Sequence, residues 1–513
     1  MIQTSREETS REETSREETS REENDRAGRR LWIGLDGPGI RDRDLAHLER
    51  LRPGGIVLFR RNITDLDELV RSIERARDVV GPALHVAVDE EGGAVSRFEE
   101  FCPVFPGNAA LGLVHETDPS AAVDLAERQG RVLGASLREL GVTVDLAPVI
   151  DRLDGESRAI GTRSFGDRVD AVEELGAAIV RGLHDAGVRA CLKHFPGLGA
   201  AHEDPHYRMA RVPRAVALDP HLAPFRSIAS RHPEVAIMTT HVVVEPLDRE
   251  VPATFSANVV DRLRRRFRFD GLVVTDDLGM GAIEADRFVD SVHRSVRAGH
   301  DIVLIAEGTE RQLAARATIV EWHRSAEGAE QWERVDARLR CYSILPPKER
   351  VERETHEALV REIARRAVRV APPMGHLPGR GVLTLLPRVP ESPPEFVLRV
   401  GTTEPLREAL RSRGSILEYD LCPTSEELAA IAPAAFAASA TVFVVAGLRH
   451  HAPYRDLLAQ LRGWTPELTV VLLGDPRDRS VLEGSGATVV TAGGARPVLQ
   501  QQVAQLLSGT RSE

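Results

Sequence analysis

Between residues 30 and 310, short apolar, β-branched runs alternate with longer segments whose apolar residues recur at helical spacing. The runs fall at 31–35, 55–59, 84–88, 142–146, 189–192, 235–238, 271–275 and 301–305. The segments between them include 65–79, 121–140, 170–186 and 256–268. Runs with no polar alternation predict strands covered on both faces, and helical crossovers between them predict parallel pairing. Eight such units in about 280 residues match a (β/α)8 TIM barrel in size. An open doubly wound sheet is the competing arrangement, and it usually takes fewer strands.

The rhythm then changes. Residues 311–325, 332–342 and 351–370 read as charged helices, interrupted by Pro346, Pro347 and Lys348. After Pro372 and Pro373 the strand–helix alternation resumes, with candidate strands at 381–386, 396–401, 416–420, 441–447, 468–474 and 488–493. The expected organisation is a low-complexity tail at 1–28, a (β/α)8 barrel at 29–310, a helical connector at 311–373 and a smaller C-terminal α/β sandwich domain at 374–513.

Composition narrows the function classes. Residues 4–23 repeat Thr-Ser-Arg-Glu-Glu four times and account for −4 of the formal charge of −11. With no apolar face to bury, this tail is expected to be disordered, or a solvated helix. The acidic balance argues against a nucleic-acid partner, which calls for a basic surface. No window offers the 18 or so consecutive apolar residues of a membrane span, so no membrane association is expected. The N-terminus shows no apolar stretch after a basic start, so the expected location is cytoplasmic. Cys102, Cys191, Cys341 and Cys422 are scattered, which argues against a disulfide framework or a cysteine zinc site. Lys193 and Lys348 are the only lysines, against 65 arginines. A lysine kept in such a background suggests a place where a compact ammonium does what a guanidinium cannot.

Reactive groups of a barrel gather where strands end and the following loops begin. Here the third run leads into Asp89, Glu90 and Glu91, the fifth into Lys193 and His194, the sixth towards His241, and the seventh into Asp276 and Asp277. Charges beside buried strands are costly unless paired or used. Asp277 also suits a helix cap, and Glu90 and Glu91 read as supporting or solvated groups. The loop after Lys193 holds His202, Asp204 and His206 within a few residues. It can be read as a solvated loop, as a metal site, or as an Asp–His dyad in which Asp204 orients His206 for proton transfer near neutral pH. Pro205 and the absence of rigid helical spacing weigh against the metal, so none is expected.

Five motifs in order carry a resemblance: Val-Asp89-Glu-Glu-Gly-Gly-Ala-Val-Ser-Arg97-Phe, Ile-Gly-Thr-Arg163-Ser-Phe, Lys193-His194-Phe-Pro-Gly, Asp204-Pro-His206 and Thr-Asp276-Asp277-Leu-Gly-Met. Together they resemble glycoside hydrolase family 3, in particular its bacterial β-N-acetylglucosaminidases. The resemblance implies a retaining exo-β-N-acetylglucosaminidase that removes terminal GlcNAc from short glycans or peptidoglycan fragments. It implies Asp276 as nucleophile and His206, supported by Asp204, as general acid and then base. It implies Asp89, Arg97, Arg163, Lys193 and His194 as the sugar-binding shell. The implied partner is a small carbohydrate with a terminal β-GlcNAc, with no cofactor, and the oligomeric state stays open. A phosphorylase sharing these residues and a β-glucosidase are the alternatives. The sequence departs from the family pattern at Leu198, where a second His is common, at Ala94, where many relatives carry Arg, and at Gly279, where Ser or Asn is frequent. These departures bear on the aglycone preference.

Overall fold

The computed structural model describes residues 17–101, 104–155, 157–203, 209–283, 285–347, 356–372, 377–388 and 402–509. Eight strands form one parallel sheet: β1 (Leu31–Gly34), β2 (Gly55–Leu58), β3 (His85–Val88), β4 (Val144–Asp145), β5 (Arg189–Phe195), β6 (Ala236–Thr239), β7 (Val273–Val274) and β8 (Val303–Ile305). The strands pair in chain order, β8 returns beside β1, and the single bridge Val274–Ile302 links β7 to β8. The sheet is therefore a nearly closed barrel and not an open doubly wound sheet.

Side chains alternate along these strands between two apolar layers. Leu31, Ile33, Ile56, Leu58, Val86, Val88 and Leu192 face the surrounding helices. Trp32, Val57, Ala87, Cys191 and Val274 face the barrel axis. Both layers are apolar, which is why the sequence shows continuous runs. The alternation also aims the residues that follow. Counting on from Ala87, Cys191 and Val274 sends Asp89, Lys193 and Asp276 toward the axis at the C-terminal mouth.

The helices follow from caps and stripes. The helix Leu66–Val80 starts where the Asp65 carboxylate accepts the Glu68 N–H at 2.8 Å, and it buries Leu69, Ser72, Ile73 and Ala76 on one face. The helices Pro119–Glu139 and Val169–Asp185 cross closely at glycines. A Cβ on Gly182 would lie 2.2 Å from the Glu127 carbonyl oxygen, so only glycine fits there.

A second sheet holds β9 (Arg369–Ala371), β10 (Val382–Pro387), β11 (Gly414–Tyr419), β12 (Ala440–Val445), β13 (Leu468–Leu472) and β14 (Thr488–Thr491). Its order is β9-β14-β13-β12-β10-β11, parallel except for β9. The end of the segment expected to be helical over 351–370 is thus partly a strand. Val368 and Val370 are β-branched, and the prolines that follow bias the chain toward an extended form. The expected strand at 396–401 lies outside the described residues. Residues 17–28, the described end of the tail, are helical. This helix has something to rest on: Ala27 is buried, and Arg26 pairs with Asp336 and lies 4.3 Å over the Trp332 ring.

The helix Ala326–Cys341 delivers Tyr342 to the N-terminal end of the barrel. Its ring packs against His85 and Trp32, with centroids 5.1 and 6.3 Å away, and Arg189 lies 4.3 Å over its face. A cavity of about 710 Å³ opens beside this plug, at the end opposite Asp89 and Asp276. The Tyr342 hydroxyl is buried without a partner among the described residues. Tyr342→Ala is expected to lower stability by about 3–5 kcal/mol, as large aromatic truncations do. Tyr342→Phe is expected to hold or raise it, because a buried hydroxyl lacking a partner costs about 1–3 kcal/mol. Thermal unfolding of the two variants beside the parent checks both.

Candidate active site

The C-terminal mouth of the barrel collects charge from several strand ends. Cys191 sits at its floor, fully buried. Burial pushes the Cys191 thiol up to about 12, and the charges acting on it are those of Lys193, Asp89, Asp145 and Asp276. These four come from β5, β3, β4 and the end of β7; the alternation turns Lys193, Asp89 and Asp276 to the axis, whereas Asp145 falls between the axial Val144 and Leu146.

Lys193 is the centre. Its ammonium, 2% exposed, lies 2.6 Å from Asp89 Oδ1 and 2.7 Å from Glu91 Oε1. Arg163 closes the far side of Glu91, with Nε 2.8 Å from one carboxylate oxygen and Nη2 2.7 Å from the other. Arg97 reaches Asp89 Oδ2 at 3.3 Å. Burial alone would push Asp89 up, but Lys193, Arg97 and Arg163 outweigh it and hold the carboxyl well below its usual range. Burial likewise raises Glu91, and Arg163 and Lys193 bring it down to about 2. Burial opposes the charge on Lys193 and Arg163 too, and the same carboxylates reverse it, so both pKa values end up raised.

His194 is held in place by Asp151. Its Nδ1 lies 2.7 Å from Asp151 Oδ2, and the other Asp151 oxygen accepts the Leu198 N–H at 2.6 Å. Donation from Nδ1 leaves Nε2 as the acceptor, and Arg163 Nη2 stands 3.4 Å from it. Leu198, the departure from the family pattern, thus acts through its backbone, and its side chain is buried in an apolar cluster.

The two adjacent aspartates after β7 differ. Asp277 turns inward, and its Oδ1 accepts N–H bonds from Gly279 at 3.0 Å and Ala306 at 2.9 Å. No helix starts here: the Gly279 contact closes a turn, so the helix cap expected of Asp277 is not formed. Asp276 is partly exposed, accepts the Asp277 N–H at 2.8 Å and pairs with no cation among the described residues. His241 has both ring nitrogens occupied, by Thr254 Oγ1 and the Asp277 carbonyl, each at 2.8 Å.

Asp204 and His206 lie outside the described residues. The chain on either side of them is anchored. Before them, Asp154 N–H bonds the Gly199 carbonyl at 2.9 Å, and after them Ala210–Val212 pairs with Val242–Val244.

Three parts were open or missed in the sequence. Of the two readings of Glu91, the supporting one holds: its side chain is 1% exposed and neutralises Lys193 and Arg163 together. Asp151 was passed over, although it ends the run after β4 as the other acids end theirs. Glu90 is buried as well. Its carboxylate accepts the Arg97 N–H at 2.7 Å and the Phe98 N–H at 3.3 Å, while its own N–H donates to Asp145 Oδ1 at 3.0 Å.

His184, in the helix Val169–Asp185, and His232 and Glu234, after the helix Asp219–Arg231, have ligand spacing for a metal ion. The Ala190 N–H points at His184 Nε2 at 3.3 Å, which leaves the proton on Nδ1, facing Glu234 at 2.9 Å. The nitrogen turned to the cluster is therefore a donor and not a ligand.

Residues 36–339 match the glycosyl hydrolase family 3 N-terminal domain. A β-hexosaminidase of Alkalilimnicola ehrlichii is 37% identical over 285 residues, covering 55% of this chain and 81% of its own length. A family 3 β-N-acetylglucosaminidase structure from Paenibacillus sp. superposes with a TM-score of 0.82 at 28% identity, over 95% of this chain and 97% of that one. The structure of NagZ from Neisseria gonorrhoeae in complex with N-trifluoroacetyl-D-glucosamine superposes with a TM-score of 0.56 at 30% identity, over 66% and 97% of the two chains.

Glu90 gives the cluster a measurable pH signature. Burial raises its carboxyl from 4.5 to about 7, against hydrogen bonds from Ser96, Arg97 and Phe98. A raised folded pKa contributes stability that is complete below 4.5 and is lost as pH rises through 7. Glu90→Gln is expected to flatten that part of the stability–pH curve, measured by denaturant unfolding between those two values. In contrast, Glu91→Gln is expected to lower stability by about 3–5 kcal/mol at neutral pH, because it removes the carboxylate that two buried cations share.

Proposed function

The chain belongs to glycosyl hydrolase family 3, and from that premise we propose that it is a retaining exo-β-N-acetylglucosaminidase acting on short glycans or peptidoglycan fragments. The observation that carries this reading is the contrast at the barrel mouth. Asp89 and Glu91 are neutralised by fixed cations, whereas Asp276 keeps an unpaired carboxylate among the described residues.

A double displacement uses such a carboxylate. Asp276 attacks the anomeric carbon, the leaving oxygen departs with a proton, and a glycosyl–enzyme ester forms. His206, oriented by Asp204, supplies that proton and then takes one from the incoming water, whose oxygen bonds the anomeric carbon as the ester bond to Asp276 breaks and frees its carboxylate. Asp89 accepts hydrogen bonds from sugar hydroxyls. Arg97, Lys193 and His194 fix Asp89 and the pocket wall, and Arg163 fixes them through Glu91. An imidazole as the acid avoids a second anion beside the attacking carboxylate. A cytoplasmic setting is part of this reading.

The test is trapping. A slow aryl β-GlcNAc substrate is expected to leave its sugar on the peptide bearing Asp276, read by mass spectrometry, and label on any other residue overturns the assignment. His206→Ala is expected to lose about 10²–10⁴-fold in rate on poor leaving groups and far less on activated aryl ones, since only the former need the proton. Equal losses on both count against the acid role. Paired aryl β-GlcNAc and β-glucoside substrates, each with and without inorganic phosphate, separate hydrolysis of GlcNAc from phosphorolysis and from β-glucosidase activity.

A further inference from the structure

The loop that carries Asp89 and Arg97 is held from outside the barrel. After β3 the chain folds into a tight turn at residues 92–95: Glu91 N–H bonds the Val95 carbonyl at 3.1 Å, and Gly92 and Gly93 take φ of 70° and 61°. These two left-handed residues reverse the chain, so that Asp89 and Arg97, eight residues apart, meet at 3.3 Å. Inside, Glu90 ties down the backbone of Arg97 and Phe98, and Asp145 holds Glu90. The tip has another partner. Arg496, in the second domain, donates from Nε to the Gly93 carbonyl, and its Nη1 lies 2.7 Å from Glu99.

The approach is close because small residues line it. Gly93 N–H bonds the Phe105 carbonyl at 2.9 Å, and a Cβ on Gly93 would lie 2.7 Å from Gly107 Cα. A Cβ on Gly494, two residues before Arg496, would lie 3.2 Å from the Pro106 carbonyl oxygen. Arg496 stands at the N-cap of the helix Pro497–Ser508, and its side chain is 19% exposed. A guanidinium that bonds a carbonyl and a carboxylate at once has a fixed fork, so it constrains direction as well as distance.

We propose that Arg496 is a positioning residue for the sugar pocket: by holding the Gly93 carbonyl it fixes the turn whose two ends present Asp89 and Arg97. The second domain then acts on binding without touching the reacting atoms. This rests on the reading of Asp89 as a sugar ligand.

Another tie between the two domains provides the control. Arg479 forms a two-pronged pair with Glu116 at 2.7 and 2.9 Å, outside the turn at residues 92–95. The experiment measures kcat and KM on an aryl β-GlcNAc, with thermal unfolding, for Arg496→Met, Arg496→Lys, Glu99→Gln, Arg479→Met and Asp89→Asn in the full chain. Arg496→Met is expected to raise KM about tenfold with kcat within about twofold, the loss of one charge-assisted hydrogen bond that positions a ligand. Arg496→Lys keeps the charge toward Glu99 without the Nε donor and is expected to raise KM in the same direction. It also carries the test if the Met variant does not fold. Glu99→Gln and Arg479→Met are expected to shift the unfolding temperature and leave KM within about twofold. An unchanged KM in both Arg496 variants overturns the proposal, and so does an equal KM rise in Arg479→Met, which would make it an effect of domain docking in general. If Asp89→Asn leaves KM unchanged, the sugar-ligand reading itself falls and takes this proposal with it.

Discussion

The barrel mouth depends on one buried ammonium. Lys193 is almost wholly removed from water, and a lone cation there would be too costly to keep. It persists because two carboxylates reach it, and the second of them, Glu91, is itself shared with Arg163. The chain of alternating charges then runs outward through Arg97 and across to His194 and Asp151. Removing any one member takes a partner from a buried charge, so the members depend on one another. The same compensation fixes what remains available for chemistry. Carboxylates inside the network are held ionised by neighbouring cations; Asp276 lies outside it with no cation among the described residues, which is what the proposed nucleophile role calls on.

That division of labour follows from strand geometry. A strand residue faces the axis or the helices according to parity, and the parity set by Ala87, Cys191 and Val274 delivers Asp89, Lys193 and Asp276 to the mouth. Residues of the opposite parity become scaffolding. Asp277 caps the turn behind Asp276, and Glu90 and Asp145 lock one loop to the next strand. Adjacent acids in the sequence therefore take unlike roles although they share a charge.

Much of this was legible in the sequence, and its limits have physical causes. The eight barrel runs stood out because strands buried on both faces are apolar throughout. The reactive positions stood out because charges end those runs. The role of Glu91 did not, since a carboxylate between two cations looks the same in sequence as one in water. Asp151 was hidden for a related reason: its partners, His194 and the Leu198 N–H, lie more than forty positions away and meet it only through pairing between neighbouring barrel strands. The strand at Arg369–Ala371 was hidden because its pairing partner, Thr488–Thr491, lies more than a hundred positions away, and its short β-branched stretch reads as the end of the preceding helix.

The second domain was the least legible part of the site. Its sequence has no catalytic constellation, and from residue types alone Arg496 is one of sixty-five arginines. Its meaning comes from where the backbone lets it arrive. Glycines at 93, 107 and 494 thin both surfaces so that one guanidinium can reach a main-chain carbonyl across the junction. The pocket's shape is thus set by two layers of restraint. Buried ion pairs fix the loop ends from within the barrel, and a hydrogen bond from the second domain fixes the turn between them. A charge network alone would define which atoms attract each other but leave a glycine-rich turn several ways to satisfy them. The outer restraint selects one, which is the difference between a site that contains its ligands and one that presents them to a sugar in a fixed arrangement.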